Sequence, residues 1–160
     1  MTDDRQDKMT DVLDRTDRTG RLHDVELPEG YRPTAAEPFM NDLQLAYFQG
    51  KLLQWKEDIK AESKMTLDNL KEGPLQEPDQ NDRASSESGW ALELRTRDRQ
   101  RKLIAKIDAA LRRIESGEYG YCEITGEPIE LQRLEARPIA TMTLEAQERH
   151  EREERSTRDD

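Results

Sequence analysis

Apolar side chains fall into two long helical stripes separated by a short polar break. Leu45, Phe48, Leu52, Trp55 and Ile59 follow one another at steps of three, four, three and four. That is the spacing of a heptad seam, which buries a narrow strip of helix and leaves the other faces wet. Asn41 or Asp42 stands where the helix needs a cap, a short polar side chain that accepts from the first free N–H groups. Beyond Ile59 the seam weakens: Glu62, Thr66 and Asn69 fall on it, while Leu67 and Leu70 lie beside it. Lys71-Glu72-Gly73-Pro74 ends the helix, because glycine supplies a left-handed cap and proline cannot continue the ladder. A second pattern runs from about Asp82 to Ser116. It carries the stripe Ile104, Ile107, Leu111 and Ile114 and, nearer its start, the apolar patch Trp90, Ala91 and Leu94. The break between the two patterns, Glu77-Pro78-Asp79-Gln80-Asn81-Asp82-Arg83-Ala84, is acidic and rich in turn formers. Helices joined by so short a connection fold back on each other as an antiparallel hairpin. At ~1.5 Å per residue, helices of about 30 to 35 residues give a reach of roughly 45–50 Å.

Gly117-Glu118-Tyr119-Gly120 stops the second helix. A compact stretch follows, with turns at Thr125-Gly126-Glu127-Pro128 and Arg137-Pro138 and apolar residues Ile124, Ile129, Leu131, Leu134, Ile139 and Met142. Thr141 or Thr143 caps a last helix that carries Leu144 and Ala146. That helix becomes almost purely charged from Glu148 to Arg155 and is expected to fray over Ser156–Asp160. The expected fold is all-α: a long antiparallel coiled-coil hairpin, a small globular end and a C-terminal helix. Its segments are a flexible tail over residues 1–38, the hairpin over 39–117 with its tip at 74–84, the globular segment over 118–142 and the C-terminal helix over 143–160.

Composition supports a shape with little core. Apolar residues make up 32% of the 160 and charged residues 39%, a balance suited to a helical rod or to partial disorder. The chain carries a net charge of −10, yet Glu93–Arg113 holds eight basic and three acidic residues, a local excess of +5. Such a stretch is either a solvated helix face or a docking surface for an acidic protein or a phosphorylated ligand. The single cysteine, Cys122, cannot form an intramolecular disulfide. The start, Met1-Thr2-Asp3-Asp4-Arg5, lacks the apolar run of a signal peptide, and no segment approaches the ~18 apolar residues of a membrane span. The expectation is a soluble, cytoplasmic chain. His23 and His150 are the only histidines, and neither Cys122 nor any serine has a recognisable base partner, so no enzyme is expected.

Several separate motifs, in order, resemble one family. Gly120-Tyr121-Cys122-Glu123 and Leu134-Glu135-Ala136-Arg137-Pro138 are similar to the zinc-finger segment of the DksA family of bacterial transcription regulators. The likeness runs back through Leu92–Ile104 to Asp79-x-x-Asp82-x-Ala84, which matches the family's DxxDxA tip motif. Met40-Asn41, Leu45-Ala46-Tyr47-Phe48 and Trp55 fit its first helix, and the resemblance covers roughly residues 39–150. One departure matters. The four cysteine positions of a zinc-bearing member fall here on Cys122, Thr125, Thr143 and Ala146. A threonine hydroxyl is a poor Zn²⁺ ligand and alanine is none. The segment therefore looks like a zinc-free variant. Burial of Ile124, Ile129, Leu134, Ile139, Met142 and Leu144, at about 1.5–3 kcal/mol per fully buried side chain, is expected to replace the ion.

The resemblance implies a protein that binds RNA polymerase rather than DNA, as a monomer and away from membranes. Its coiled coil would enter the secondary channel and alter open-complex stability at ribosomal promoters, with the alarmone ppGpp, in the stringent response. By the same likeness Asp79, Asp82 and Ala84 are the tip effectors, although either aspartate also suits a helix cap. Leu103, Lys106 and Arg137 match positions that contact ppGpp at the polymerase interface, a further basic position falls on Gln147, and Arg99 matches a docking contact with the channel rim. Three other readings compete. One is a coiled-coil adaptor without polymerase activity, one is transcript cleavage of the Gre type through the tip carboxylates, and one is DNA binding through the basic stretch. The flanking pattern disfavours cleavage, and the overall acidity disfavours DNA.

Overall fold

The computed structural model describes residue 22, residues 24–72 and residues 80–158; the side chains of residues 70, 72 and 80–86 are outside the description. Among the described residues from Asp42 onward, four helices follow in order: α1 (Asp42–Glu72), α2 (Gln80–Ser116), α3 (Leu131–Ala136) and α4 (Leu144–Arg158). The only β element among the described residues is an isolated antiparallel bridge between Tyr121 and Pro128. The fold is all-α, as the periodicity predicts, with a zinc-finger-like segment, as the family resemblance implies. It divides into two compact units: residues up to Leu52 together with those from Ala109 onward, and Leu53–Asp108.

The Leu53–Asp108 unit is the hairpin. The Lys56 Nζ lies 2.6 Å from the Asp108 carboxylate, and the Ser63 hydroxyl 2.7 Å from the Gln100 amide oxygen. Partners fall in number on α2 as they rise on α1, which is the signature of an antiparallel pair. Ile59 and Ile107 are buried on the expected seam, whereas Ile104 is only partly covered. Toward the break the apolar packing gives out. Trp90 is 42% exposed, Leu94 52% and Met65 68%. Ser63 and Gln100 meet here in place of an apolar layer, so the expected weakening of the seam is present.

The other unit holds the closed core. Leu45, Phe48 and Leu52 on α1 and Ala110 and Ile114 on α2 are buried, with Tyr119, Ile129, Leu134 and Ile139 from the segments that follow. Asn41 is the cap of α1: its Oδ1 accepts the Gln44 N–H at 2.8 Å. Gln44 is fully buried. Its Oε1 accepts from the Met40 N–H, and its Nε2 donates to Glu37 Oε2 and to the Thr34 carbonyl. Every polar group of this buried amide is thus paired. Tyr31 donates to Glu37 at 2.8 Å and packs edge-on against Tyr47. Residues 24–38 therefore contain ordered contacts where a flexible tail is expected. Glu37 has no place in a hydrophobicity pattern, and its role as the shared acceptor of Tyr31 and Gln44 is invisible there.

The second helix ends as anticipated. Gly117 adopts φ +79°, and Glu118 N–H bonds back to the Arg113 carbonyl while Gly117 N–H bonds to that of Ile114, a Schellman closure. Gly120, at φ +87°, lies so close to Met40 that a Cβ would approach the Met40 Cγ to 3.0 Å. Thr143 caps α4, its hydroxyl accepting the Ala146 N–H at 3.2 Å. One expectation is corrected at the end of α4. Ser156 and Thr157 remain helical, their hydroxyls returning to the Glu153 carbonyl.

Candidate functional site

The tip residues are the least described. Asp79 lies outside the described residues. Asp82 and Ala84 fall in the first turns of α2, since that helix begins at Gln80, but their side chains are outside the description. The expected break therefore shortens on its α2 side, because the polar run from Gln80 propagates as helix.

On α2 of the hairpin unit the basic run is a wet face. Arg95, Arg99, Arg101, Lys102 and Lys106 are exposed, and Leu103 is half-buried. Lys102 pairs with Asp98 at 3.0 Å, one helical turn away. Exposed pairs of this kind contribute only a few tenths of a kcal/mol, so the face has no structural task that demands its charge. Arg137 belongs to the other unit, where it closes α3. Its N–H donates to the Arg133 carbonyl at 2.7 Å, and its side chain is exposed.

The degenerate zinc positions are all in the second of these units, and each has a task. Cys122 is 3% exposed. Burial pushes its thiol up, but hydrogen bonds from the Thr125 hydroxyl and from the backbone N–H groups of Thr125, Thr143 and Ile124 outweigh it, and the pKa falls to about 7. The Thr125 hydroxyl also accepts the Glu127 N–H at 3.3 Å, Thr143 caps α4, and Ala146 is buried against the core. One sulfur, two hydroxyls already committed and a methyl do not make a Zn²⁺ site. Among the described residues no cluster of three His, Cys, Asp or Glu stands close enough to hold a metal. What remains is a tight turn closed by the backbone: Gly126 N–H bonds to the Cys122 carbonyl at 2.9 Å, and Cys122 N–H to that of Glu127 at 2.8 Å.

The six apolar residues expected to stand in for the ion divide evenly. Ile129, Leu134 and Ile139 are buried, whereas Met142 is half-buried and Ile124 and Leu144 are 55% and 58% exposed. Ile124 rides on the tight turn through Gly126, φ +71°, and its N–H, not its side chain, faces the sulfur. Leu144 opens α4 directly after its cap. Two side chains missed by periodicity take their place. Tyr119 is 1% exposed and donates to the Pro138 carbonyl at 2.8 Å, its own titration pushed far upward by burial. Tyr47 donates a short hydrogen bond to Glu135, whose carbonyl accepts from Lys51 at 2.7 Å. Burial first and the Glu135 bond second push Tyr47 up to about 12. An aromatic inside the Gly117–Gly120 stop was the signal for Tyr119. Nothing local pointed to Glu135.

Comparison with known proteins bears on this arrangement directly. The profile of "DnaK suppressor protein DksA, N-terminal domain" matches residues 44–114, and that of "Prokaryotic dksA/traR C4-type zinc finger" matches residues 117–152. The RNA polymerase-binding transcription factor DksA of Caulobacter vibrioides is 67% identical over 130 residues, which cover 81% of this chain and 92% of that protein. The chain belongs to the DksA family. The protein of the same name from Escherichia coli K12 is 40% identical over 117 residues, 73% of this chain and 78% of its own. The solved structure of transcription factor DksA2 from Pseudomonas aeruginosa is 40% identical and superposes with a TM-score of 0.69, covering 78% of this chain and 94% of its own. Within the DksA family the zinc finger is of the C4 type, and this chain retains one of the four cysteines.

Proposed function

We propose that this chain is a non-enzymatic, cytoplasmic regulator that binds RNA polymerase and modulates transcription initiation. The hairpin tip would enter the secondary channel, with Asp79, Asp82 and Ala84 acting on the active-centre region. Arg99 would dock on the rim. By the family likeness Leu103, Lys106 and Arg137 are the residues for ppGpp at the polymerase interface, which would couple the effect to the stringent response. The observation that carries the reading is the identity of 67% to a DksA over 92% of that protein's length. Two physical features support it. Helices of 31 and 37 residues, at ~1.5 Å per residue, are roughly 45–55 Å long, enough to deliver a carboxylate deep inside a partner. The basic face of α2 is exposed and suits an acidic rim.

Co-sedimentation with core RNA polymerase tests the reading. A stoichiometric complex that weakens at high salt and on Arg99→Ala supports it. The absence of any complex leaves the hairpin as an adaptor for some other protein and defeats the proposal.

A further inference from the structure

The chain enters α1 through a strap, residues 34–41, that lies against residues 120–122 of the same unit. Phe39 packs edge-on against Tyr121, with ring centroids 5.4 Å apart. Met40 fills the space over Gly120: a β-carbon on that glycine would come within 3.0, 3.1 and 3.2 Å of the Met40 Cγ, Cε and Sδ atoms. Gly120 is thus fixed as glycine twice, by its φ of +87° and by the thioether seated on it. The methionine covers a junction. The Gly120 carbonyl accepts the Ile129 N–H at 2.7 Å, and Tyr121 bridges to Pro128.

Met40 is itself held under strain. Its φ is +50°, in the left-handed region that a residue with a β-carbon rarely adopts. Such a conformation persists only where surrounding contacts over-determine it. Two do so here: Met40 N–H donates to Oε1 of the buried Gln44 at 2.8 Å, and the thioether packs on Gly120. Met40 is half-buried rather than sealed, which leaves it within reach of a small oxidant. The other methionines differ. Met65 is 68% exposed and has little packing to lose, Met142 is half-buried, and Met1 and Met9 lie outside the described residues.

We propose that Met40 is a modification site, oxidised by peroxides to the sulfoxide, and that the oxidation unlatches the strap from residues 120–122. The step needs only the peroxide. The Met40 sulfur attacks one peroxide oxygen, the O–O bond breaks as the S–O bond forms, the sulfur gives up two electrons and water leaves. The product is a polar, chiral group one atom larger than the apolar thioether. A close contact with backbone tolerates neither the added volume nor the buried dipole. With it goes one of the two contacts that hold Met40 at positive φ, and the strap relaxes. Methionine sulfoxide is reduced enzymatically, so the seat on Gly120 works as a reversible latch. None of this depends on how the hairpin meets a partner.

Hydrogen peroxide treatment of the full chain, in a Met65→Leu and Met142→Leu background, is the test. Peptide mass spectrometry locates the added oxygen, and hydrogen exchange reads the strap. Met40 should gain one oxygen while the chain is folded. Amide exchange over residues 37–45, where the N–H bonds of the strap and the α1 cap lie, should quicken by roughly 5–30-fold, the change in opening ratio for the loss of one ordinary contact. Methionine sulfoxide reductases should restore slow exchange. Met40→Leu, close in volume and without a sulfur, should show no acceleration. A Met40 that stays unoxidised in the folded chain overturns the proposal, as does a sulfoxide with unchanged exchange. Equal acceleration in Met40→Leu also overturns it and assigns the effect to Cys122.

Discussion

The two units solve the same problem, little apolar material, in opposite ways. The hairpin unit spreads its few apolar side chains along a seam and lets polar pairs such as Ser63 with Gln100 and Lys56 with Asp108 take over where the seam lapses. Trp90, Leu92 and Leu94 stay in solvent. The other unit concentrates burial: Phe48, Leu52, Ile114, Tyr119, Ile129 and Leu134 are almost wholly inaccessible, and the turn at Cys122 is closed by backbone hydrogen bonds to Gly126 and Glu127. In the segment that matches the C4-type zinc finger, the buried Tyr119, the turn at Cys122 and the Thr143 cap hold the chain in place.

The contrast can be broken by mutation. Tyr119→Ala should cost on the order of 3–5 kcal/mol, as for other large buried aromatics, whereas Leu94→Ala in the hairpin should stay within about 0.5 kcal/mol. Urea melts of the two variants decide it, and equal losses would erase the distinction between a concentrated and a distributed core. Metal removal should do nothing. Chelator dialysis that shifts the melt of the 118–158 segment would show that an ion still closes the turn.

A pH series probes the concentrated unit next. Between pH 7 and 9 the unfolded chain keeps a proton on Cys122 that the folded chain has released, since the folded thiol titrates at about 7 rather than 9.0. Stability should therefore rise through that window. Cys122→Ala should flatten the rise. Above pH 10 the sign reverses. Tyr31 and Tyr47 are pushed up to about 12, so the folded chain holds protons that the unfolded chain has lost, and stability falls as pH climbs from 10 toward 12. The smallest effect belongs to the hairpin. Lys56→Ala removes a pair whose partner Asp108 is 36% exposed, and should cost only about 0.2–1 kcal/mol, less at high salt.

What the sequence made legible follows from period and chemistry. The seam from Leu45 to Ile59, the Asn41 and Thr143 caps and the Gly117 stop are local signals, and each appears where it was read. Tyr119 stood out as an aromatic inside the Gly117–Gly120 stop, but its partner, the Pro138 carbonyl 19 residues away, was not legible. The Tyr47–Glu135 bond spans 88. Ile124 and Leu144 were misassigned to the core because apolar character in a short irregular segment carries no period to say which way a side chain faces. In the candidate site, the arginines were legible as charge, whereas the seat of Met40 on Gly120 is a contact between distant residues that spacing does not reveal.

The central claim is that this chain acts on RNA polymerase through its tip while gripping it elsewhere. The most direct measurement is paired: affinity for RNA polymerase and inhibition of a ribosomal promoter, for the parent chain and for Asp82→Asn. The account predicts unchanged affinity with inhibition lost. Full inhibition by the variant, or affinity and inhibition lost together, contradicts it.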